Sequence, residues 1–331
     1  MNGVTTVTYR YNINGENSQM LRAARGIRQR DPISPYLFVI VMEYMSRLLH
    51  QMQLDPDFHH HSRCKKLGLT HLTFADDVLL FARGDTTSVQ KMKHTLHCFS
   101  DSAGLSVNPM KCYVYMGAME EGARQQIMEI IGFREGTLPF RYLGVPLTCK
   151  RLSAAHYLPL IEKILQRLQH WSTRFLSKAG RIQLVQSVSF AIANYWLQCL
   201  PLSKCVIQKI QTAYRIFVWT RGTTPSRKSP VAWKKICKPR AKRGYNVIDV
   251  EGWNKITMMK LLWDLKMKSD CLWVRWIHSY FIKGQDLLHV EIPTSASWVY
   301  KGVLNTRAHI VVIQEQWDRS LLAKKFHMSK M

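Results

Sequence analysis

The spacing of apolar residues changes near residue 150, and this change limits what the chain can fold into. Before it, short strand-like runs alternate with helical stretches, in the order strand, helix, strand, strand, helix, strand. That order predicts an α+β domain with helices on one face of a small antiparallel sheet. After it, apolar residues recur every three or four positions, interrupted at Gly180 and Pro201. This spacing predicts a helical region.

A second boundary is predicted within TRGTTPSRKSP, residues 220–230, because the stretch is rich in turn formers and basic residues. The residues after it hold seven of the ten tryptophans and are predicted to be mostly helical. The predicted division is therefore 1–149, 150–220 and 221–331.

The charge is strongly unbalanced, with 47 Lys and Arg against 22 Asp and Glu and a formal net charge of +25. A positive surplus of this size attracts polyanions, of which nucleic acid is the commonest. An anionic membrane surface is the competing partner. It is disfavoured because no apolar run approaches the roughly 18 residues of a spanning helix and the N-terminus does not resemble a signal peptide. The sequence predicts an intracellular protein, nuclear or cytoplasmic.

Eight cysteines are scattered along the chain without any CxxC spacing. This pattern favours reduced, structural thiols over disulfides. A zinc site built from Cys199, Cys205, Cys237 and His278 is disfavoured, since none of these spacings matches the usual ligand patterns.

Several local signals predict individual elements. Asn14-Gly15 between strand-like runs predicts a hairpin. Ser34 is predicted to cap a helix with Pro35 in its first turn, and Ser88 to begin a helix that ends at Gly104. The predicted buried face of the first helix consists of Leu37, Val41, Tyr44, Met45, Leu48 and Met52, and that of the second consists of Val89, Met92, Leu96 and Phe99.

The stretch HLTFADDVLLFARGD, residues 71–85, places two acids between apolar runs. It predicts a tight hairpin with Asp76-Asp77 at its corner. Adjacent carboxylates repel each other unless a cation offsets them, and magnesium is commonly held by one or two carboxylates together with substrate phosphates. The alternative is an ordinary exposed turn, because Asp is a good turn residue.

Four motifs in a fixed order resemble the reverse transcriptase domain of non-LTR retrotransposons of the LINE type. They are RGIRQRDPISPYLF, LTFADDVLLFA, GLSVNPMKC and FRYLGVPL, and the likeness extends from about residue 20 to residue 280. The resemblance implies a partial polymerase palm in 1–149, a helical thumb in 150–220 and, in 221–331, the segment that commonly follows the polymerase. It also implies nucleotidyl transfer by two Mg²⁺ ions, with an RNA template, a DNA primer and deoxynucleoside triphosphates as partners.

The resemblance assigns roles to individual residues. Asp76 would be the main metal ligand and Asp77 an auxiliary one, and these two would be the catalytic residues. Phe74 would lie near the primer end, and Lys111 where a triphosphate or the hairpin is within reach. The residues implied to shape the nucleotide and template pocket are Arg28, Gln29, Asp31, Pro32 and Ser34.

The sequence departs from the family pattern at two glycine positions and at one carboxylate. Arg30 replaces the Gly of RQGDP, and Arg-Gly-Tyr at 243–245 replaces Gly-Gly-Leu. The family's other catalytic aspartate precedes the RQGDP loop by several tens of residues, whereas here Glu16 is the only acid within residues 1–25. The resemblance therefore implies an N-terminally truncated fragment that is inactive alone.

Two further hypotheses stay open at this stage. The first is a noncatalytic nucleic-acid-binding protein that uses its basic residues for salt-dependent phosphate contacts. The second is a fragment that does not fold independently, because unpaired edge strands favour aggregation. The cations that would bind nucleic acid are Lys163, Arg167, Arg174, Lys178, Arg181, Lys238, Arg240, Lys242 and Arg243.

Overall fold

The computed structural model describes residues 7–23, 26–28, 30–172, 175–220 and 230–310. The chain divides into two compact units, Met1–Gly136 and Thr137–Met331. Helices and short strand pairs occur together, so the structure is of the predicted α+β type. The finer division into palm, thumb and C-terminal region stays a prediction.

The first unit contains eight short strands and three α-helices within the described residues. In chain order they are β1 (Thr8–Tyr9), β2 (Asn12–Ile13), β3 (Glu16–Asn17), β4 (Leu21–Arg22), α1 (Ser34–Met52), β5 (His71–Phe74), β6 (Asp77–Leu80), α2 (Thr86–Ala103), β7 (Tyr113–Val114), α3 (Glu121–Ile131) and β8 (Arg134–Glu135). The strands pair in twos: β1 with β4, β2 with β3 and β5 with β6 antiparallel, and β7 with β8 parallel. No strand is described within 104–108, part of which was predicted to be extended.

The predicted hairpin at Asn14-Gly15 is confirmed. These two residues join β2 to β3 with φ of 54° and 92°. Two consecutive positive φ values are what a two-residue hairpin turn of type I′ requires, and Asn and Gly adopt them most readily.

The core of the first unit lies between α1 and α2. It contains Met45, Leu49, Met52, Phe58, Met92 and Phe99, with Val78 and Leu80 of β6 packed against it. The predicted faces of the two helices largely match this core, except that Tyr44 is 42% exposed. Helix α2 begins two residues before Ser88, because Asp85 is its N-cap and accepts a hydrogen bond from the Ser88 amide at 2.8 Å. Gly104 ends it with φ of 66°, as predicted.

The second unit is mainly helical within the described residues. Its elements are β9 (Phe140–Tyr142), β10 (Val145–Leu147), α4 (Leu158–Ser172), α5 (Lys178–Leu184), α6 (Phe190–Cys199), α7 (Lys204–Thr220), α8 (Trp233–Ile236), α9 (Val250–Lys266), α10 (Leu272–Ile277), α11 (Trp298–Asn305) and α12 (Arg307–Ile310). A π-helical turn, Val185–Ser189, joins α5 to α6, and a second, His278–Ile282, follows α10.

One core cluster of the second unit runs through residues 145–250 and therefore crosses the predicted boundary at 220–230. It includes Leu168, Leu197, Phe217, Ile236 and Val250, each with at most 1% of its surface exposed. A further cluster lies within residues 258–304. The predicted helical character after residue 150 is confirmed by these elements.

Arg181 corrects part of the nucleic-acid-binding hypothesis. Only 7% of this residue is exposed, and its Nη1 donates to the carbonyl oxygen of Phe217 at 3.1 Å. The guanidinium therefore links α5 to α7 inside the unit and is not available to a phosphate. Lys163 and Arg167 are exposed as expected, whereas Arg174 lies outside the described residues.

Candidate active site

The acid pair lies on the hairpin formed by β5 and β6. The register pairs His71 with Leu80, Thr73 with Val78 and Phe74 with Asp77. The two-residue turn is therefore Ala75-Asp76, and Asp77 is the first residue of β6. The prediction of a corner at Asp76-Asp77 was off by one residue.

Backbone strain is located immediately before the acid pair. Ala75 has φ of 52°, in the left-handed region that a residue with a Cβ seldom occupies. Such a conformation costs on the order of 1 kcal/mol, and it persists only where the surrounding structure holds it. The turn is thus held in a fixed shape with Asp76 at its tip.

The two carboxylates are available to a ligand. Asp76 and Asp77 are exposed, and the carboxylate of neither residue forms a hydrogen bond or ion pair with another residue that the structure describes. Phe74, which pairs with Asp77 across the hairpin, is 59% exposed. Free carboxylate oxygens on a fixed turn suit Mg²⁺. Within the described residues, however, no group of three or more His, Cys, Asp or Glu side chains could hold a metal ion. The residues therefore fit part of a metal site.

The base of the hairpin is anchored to α1. A hydrogen bond of 3.0 Å joins His71 Nε2 to Ser46 Oγ, and another of 3.0 Å joins His71 Nδ1 to Thr70 Oγ1. The Phe81 amide donates to the Thr70 carbonyl oxygen at 2.7 Å, which extends the hairpin ladder by one step. These contacts fix the strands from which the acidic turn projects.

A cavity of about 360 Å³ lies at this base and not at the acidic tip. Its lining comes from α1 and from residues 68–71, and it includes Glu43, Ser46, Arg47, His50 and His71. Its lining does not include Asp76 or Asp77, nor the predicted nucleotide-pocket residues Arg28, Asp31, Pro32 and Ser34. The cavity is therefore separate from these predicted site residues.

His71 makes the stability of the hairpin base sensitive to pH. Burial lowers the pKa of His71 below its ordinary value, and the charge of Glu43 offsets part of this effect. Because the folded state disfavours the protonated ring, stability is complete above the ordinary pKa of 6.5 and is lost as pH falls through it. We expect the urea midpoint of the first unit to decrease between about pH 7.5 and pH 5.5. His71→Asn should reduce this decrease, whereas the exposed control His97→Asn should leave it unchanged; equal effects would contradict the prediction.

The loop before α1 holds itself together through local hydrogen bonds. Ser34 Oγ donates to the Arg28 carbonyl oxygen at 2.5 Å, and Asp31 Oδ1 accepts from the Ile33 amide at 2.9 Å. Ile33, and not Ser34, is the N-cap, so the predicted cap is wrong by one residue. Pro35 lies in the first turn as predicted. Asp31 therefore shapes this loop as part of its own turn.

The remaining predicted pocket residues vary in position. Arg28 and Pro32 are exposed, Asp31 and Ser34 are half-buried, and Gln29 lies outside the described residues. Lys111 is exposed at the end of a short 3₁₀ helix, Pro109–Lys111. The side chain of Asn108 caps that helix by accepting from the Met110 amide at 3.0 Å. The register brings Phe74 and Asp77 together, and hydrogen bonding joins Arg28 to Ser34; the described contacts do not join these groups to each other or to Lys111.

Arg30 occupies a backbone conformation that favours glycine. Its φ is 63°. Glycine adopts such a conformation freely, whereas a residue with a Cβ is strained there, so a glycine in the family pattern fits this position. We expect Arg30→Gly to raise the free energy of unfolding of the first unit by about 0.5–1 kcal/mol. The strain removed from the folded state should slightly exceed the added conformational entropy of the unfolded chain. Urea unfolding measures this change. Arg83→Gly, at an exposed position without a positive φ, is the control and should not stabilise; a loss of stability in Arg30→Gly would contradict the prediction.

The cysteines show no metal-binding arrangement in the described part of the chain. All eight are free thiols. Burial, together with the charge of Asp249, raises the pKa of Cys237 to about 12, so this thiol stays protonated at neutral pH.

Some residues that position the site were not singled out from the sequence. Asp85 caps α2, and Ser46 with Thr70 holds His71. Asp is a favoured N-cap residue, so Asp85 just before the apolar spacing of α2 was a usable signal for the cap. The Ser46–His71 contact joins residues 25 positions apart and leaves no local pattern.

Comparison with known proteins shows which family the segment that contains this hairpin resembles. Residues 2–147 match the family described as reverse transcriptase (RNA-dependent DNA polymerase). The Pol polyprotein of the type-1 retrotransposable element R2 from Popillia japonica is 30% identical over 122 residues, which cover 36% of this chain and 19% of the relative. Residues 2–147 are therefore similar to reverse transcriptase domains, including that of a retrotransposon polyprotein.

Two relatives from Arabidopsis thaliana add to this picture. A protein named as a ribonuclease H protein is 22% identical over 141 residues, covering 43% of this chain and 23% of the relative. An uncharacterized mitochondrial protein is 24% identical over 118 residues, covering 35% of this chain and 77% of the relative. The chain thus spans about a quarter of the ribonuclease H relative and about a fifth of the R2 polyprotein.

Within the described residues, no helix is long and apolar enough to cross a membrane.

Proposed function

We propose that residues 2–147 act as part of the palm of a non-LTR, LINE-type RNA-directed DNA polymerase, with the β5–β6 hairpin as its acidic turn. The observation that carries the proposal is the fixed, exposed Asp76-Asp77 pair within the segment that matches reverse transcriptases. The strained residue before it supports the same reading, because strain of this kind clusters at functional sites. In this proposal the helices within residues 150–220 serve as a thumb.

The roles proposed for this chain's residues are those that the family resemblance implies. Asp76 and Asp77 would hold Mg²⁺, which would supply charge neutralisation at the phosphates and activation of the attacking hydroxyl. Phe74, exposed beside Asp77, supports the primer end. Arg28, Gln29, Asp31, Pro32 and Ser34 shape the nucleotide and template side, and Lys111 offers a cation to the triphosphate. Template, primer and deoxynucleoside triphosphate are the proposed partners.

We further propose that these 331 residues do not extend a primer on their own. Two-metal chemistry would require enough carboxylate ligands to hold both ions. Glu16 is the only acidic residue before the Arg28 loop. It is an exposed residue of the short strand β3. Loss of a residue that only hydrogen-bonds to a metal ligand reduces metal affinity or activity by about 10- to 100-fold, and loss of a ligand itself should reduce it further.

A graft separates the hairpin's competence from the activity of the chain. Residues 71–103 replace the corresponding segment of an active R2-type polymerase, and extension of a DNA primer on RNA is measured with Mg²⁺. We expect the grafted enzyme to extend the primer and the 331-residue chain to give no product. An inactive but folded graft would contradict the palm proposal, and extension by the chain alone would contradict its proposed inactivity.

The second candidate function is noncatalytic binding of nucleic acid. It is favoured by a dense group of exposed cations in the second unit: Lys238, Arg240, Lys242 and Arg243.

A further inference from the structure

A loop in the second unit presents cations from a closed backbone. In this basic loop, residues 238–246, the Gly244 amide donates to the Pro239 carbonyl oxygen at 3.1 Å and the Asn246 amide donates to that of Lys238 at 3.0 Å. A Cβ on Gly244 would lie 1.8 Å from the Lys238 carbonyl oxygen, so only glycine fits there. The loop therefore has a defined shape.

The charge of this loop is unbalanced in sequence and in space. Between Trp233 and Ile248 there are six Lys and Arg residues and no acid. Lys238, Arg240, Lys242 and Arg243 are all exposed, and none forms an ion pair within the part of the chain that the structure describes. Asp249, the next acid, caps α9 through the amides of Glu251 and Gly252. Repulsion among fixed like charges is relieved when an anion binds.

Arg243 carries its charge at an unfavourable backbone position. Its φ is 57°, and it ends a 3₁₀ helix, Arg240–Lys242. A left-handed conformation costs a residue with a Cβ on the order of 1 kcal/mol, whereas glycine adopts it freely. The cation at 243 therefore does not serve the stability of the loop.

An aromatic group adjoins these cations. The Nζ of Lys178 lies 3.7 Å from the ring centroid of Trp219 and 5.3 Å from that of Tyr245. Gln186 Nε2 donates to the Asn246 carbonyl oxygen at 2.6 Å and holds the loop against the helical body. Tyr245 is nevertheless 44% exposed. Its ring is thus fixed on one side and open on the other.

We propose that Lys178, Lys238, Arg240, Lys242, Arg243 and Tyr245 form a binding surface for single-stranded nucleic acid, here called the basic-aromatic surface. The cations contact phosphates, and a base stacks on the open face of Tyr245. Stacking selects unpaired bases, because those of a duplex are covered by their neighbours. The surface lies in the second unit and needs no divalent ion, so it is independent of the acidic hairpin.

The test measures binding of the full chain to a labelled oligonucleotide of about 12 nucleotides, within the range of site sizes for such surfaces. Anisotropy is recorded in EDTA at several salt concentrations, with single-stranded DNA, its duplex and vesicles containing phosphatidylserine. The variants are Tyr245→Leu and Arg243→Gly. The matched control is Lys283→Gly, which removes an exposed cation from an equally left-handed position with φ of 50°.

We expect Tyr245→Leu to weaken single-strand binding by about 5- to 100-fold, the range of one lost base–aromatic stack. Arg243→Gly should weaken it and lower the slope of log affinity against log salt by about 0.7, the value for one phosphate contact on a single strand. Its melting temperature should stay the same or rise, which separates binding from folding. Lys283→Gly should change neither affinity nor slope.

Three results would overturn the proposal. The first is an unchanged single-strand affinity in Tyr245→Leu. The second is an equal salt slope for Arg243→Gly and Lys283→Gly. The third is binding to duplex or vesicles that is as tight as binding to single strands and equally sensitive to Tyr245→Leu. Because the assay contains EDTA, its outcome does not depend on whether Asp76 and Asp77 hold a metal.

Discussion

Asp76→Asn in the grafted polymerase is expected to reduce primer extension by more than about 100-fold, since it removes a proposed metal ligand and not only the support around one. Asp77→Asn should reduce it less, by about 10-fold, because Asp77 begins β6 and is the proposed auxiliary ligand. The measurement is the single-turnover extension rate at saturating template, primer and Mg²⁺.

Asp101→Asn within the same graft is the matched control. Asp101 is exposed on α2 and lies outside the acidic hairpin. Removing its charge should leave the extension rate within about twofold, as for surface substitutions generally. If Asp76→Asn and Asp101→Asn extend primers equally well, the hairpin has no part in catalysis.

Phe217→Ala is expected to destabilise the second unit by about 3–5 kcal/mol, the usual effect of removing a fully buried aromatic ring. Phe217 has none of its surface exposed, and its ring centroid lies 6.3 Å from that of Trp171. Its ring fills the core that α4 and α7 share with α5 and α6. Urea unfolding followed by tryptophan fluorescence reports this change, since the ring contacts lie among tryptophans.

Phe175→Ala provides the comparison on the same residue type. Phe175 is 98% exposed, so its removal should change the free energy of unfolding by no more than about 0.5 kcal/mol. Similar losses in the two variants would show that residues 145–250 do not form the common core described above.

Local patterns predicted the elements whose cause is local. Asn14-Gly15 forms its hairpin because both residues tolerate positive φ. Gly104 ends α2 for the same reason. The change to helical spacing near residue 150 likewise predicted the character of the second unit, because one apolar face per helix must be buried.

Other features depended on contacts that sequence spacing does not record. Arg181 looked like a surface cation, yet its buried guanidinium donates a hydrogen bond to a carbonyl oxygen 36 positions away. The turn of the acidic hairpin was misplaced by one residue because Ala75, with φ of 52°, is not a residue that turn statistics favour. The roles of Arg28 and Lys111 stay predictions, since they depend on where substrate would lie.

The two arginines at family glycine positions show how the resemblance and the structure complement each other. Arg30 and Arg243 have φ of 63° and 57°, so the backbone at both sites retains the conformation that glycine favours. The family pattern predicted the positions that favour glycine. At both positions the arginine adds a positive charge and places a residue with a Cβ in a strained backbone conformation.

Paramagnetic broadening by Mn²⁺ in NMR spectra of the whole chain tests the central claim most directly, because it detects weak as well as tight metal binding. We expect amide signals of residues 75–78 to broaden first, and Asp76→Asn to abolish this effect. Broadening that is centred instead on Asp55 and Asp57, whose carboxylates pair with Lys91, or that survives Asp76→Asn, would contradict the proposal that the acidic hairpin binds metal.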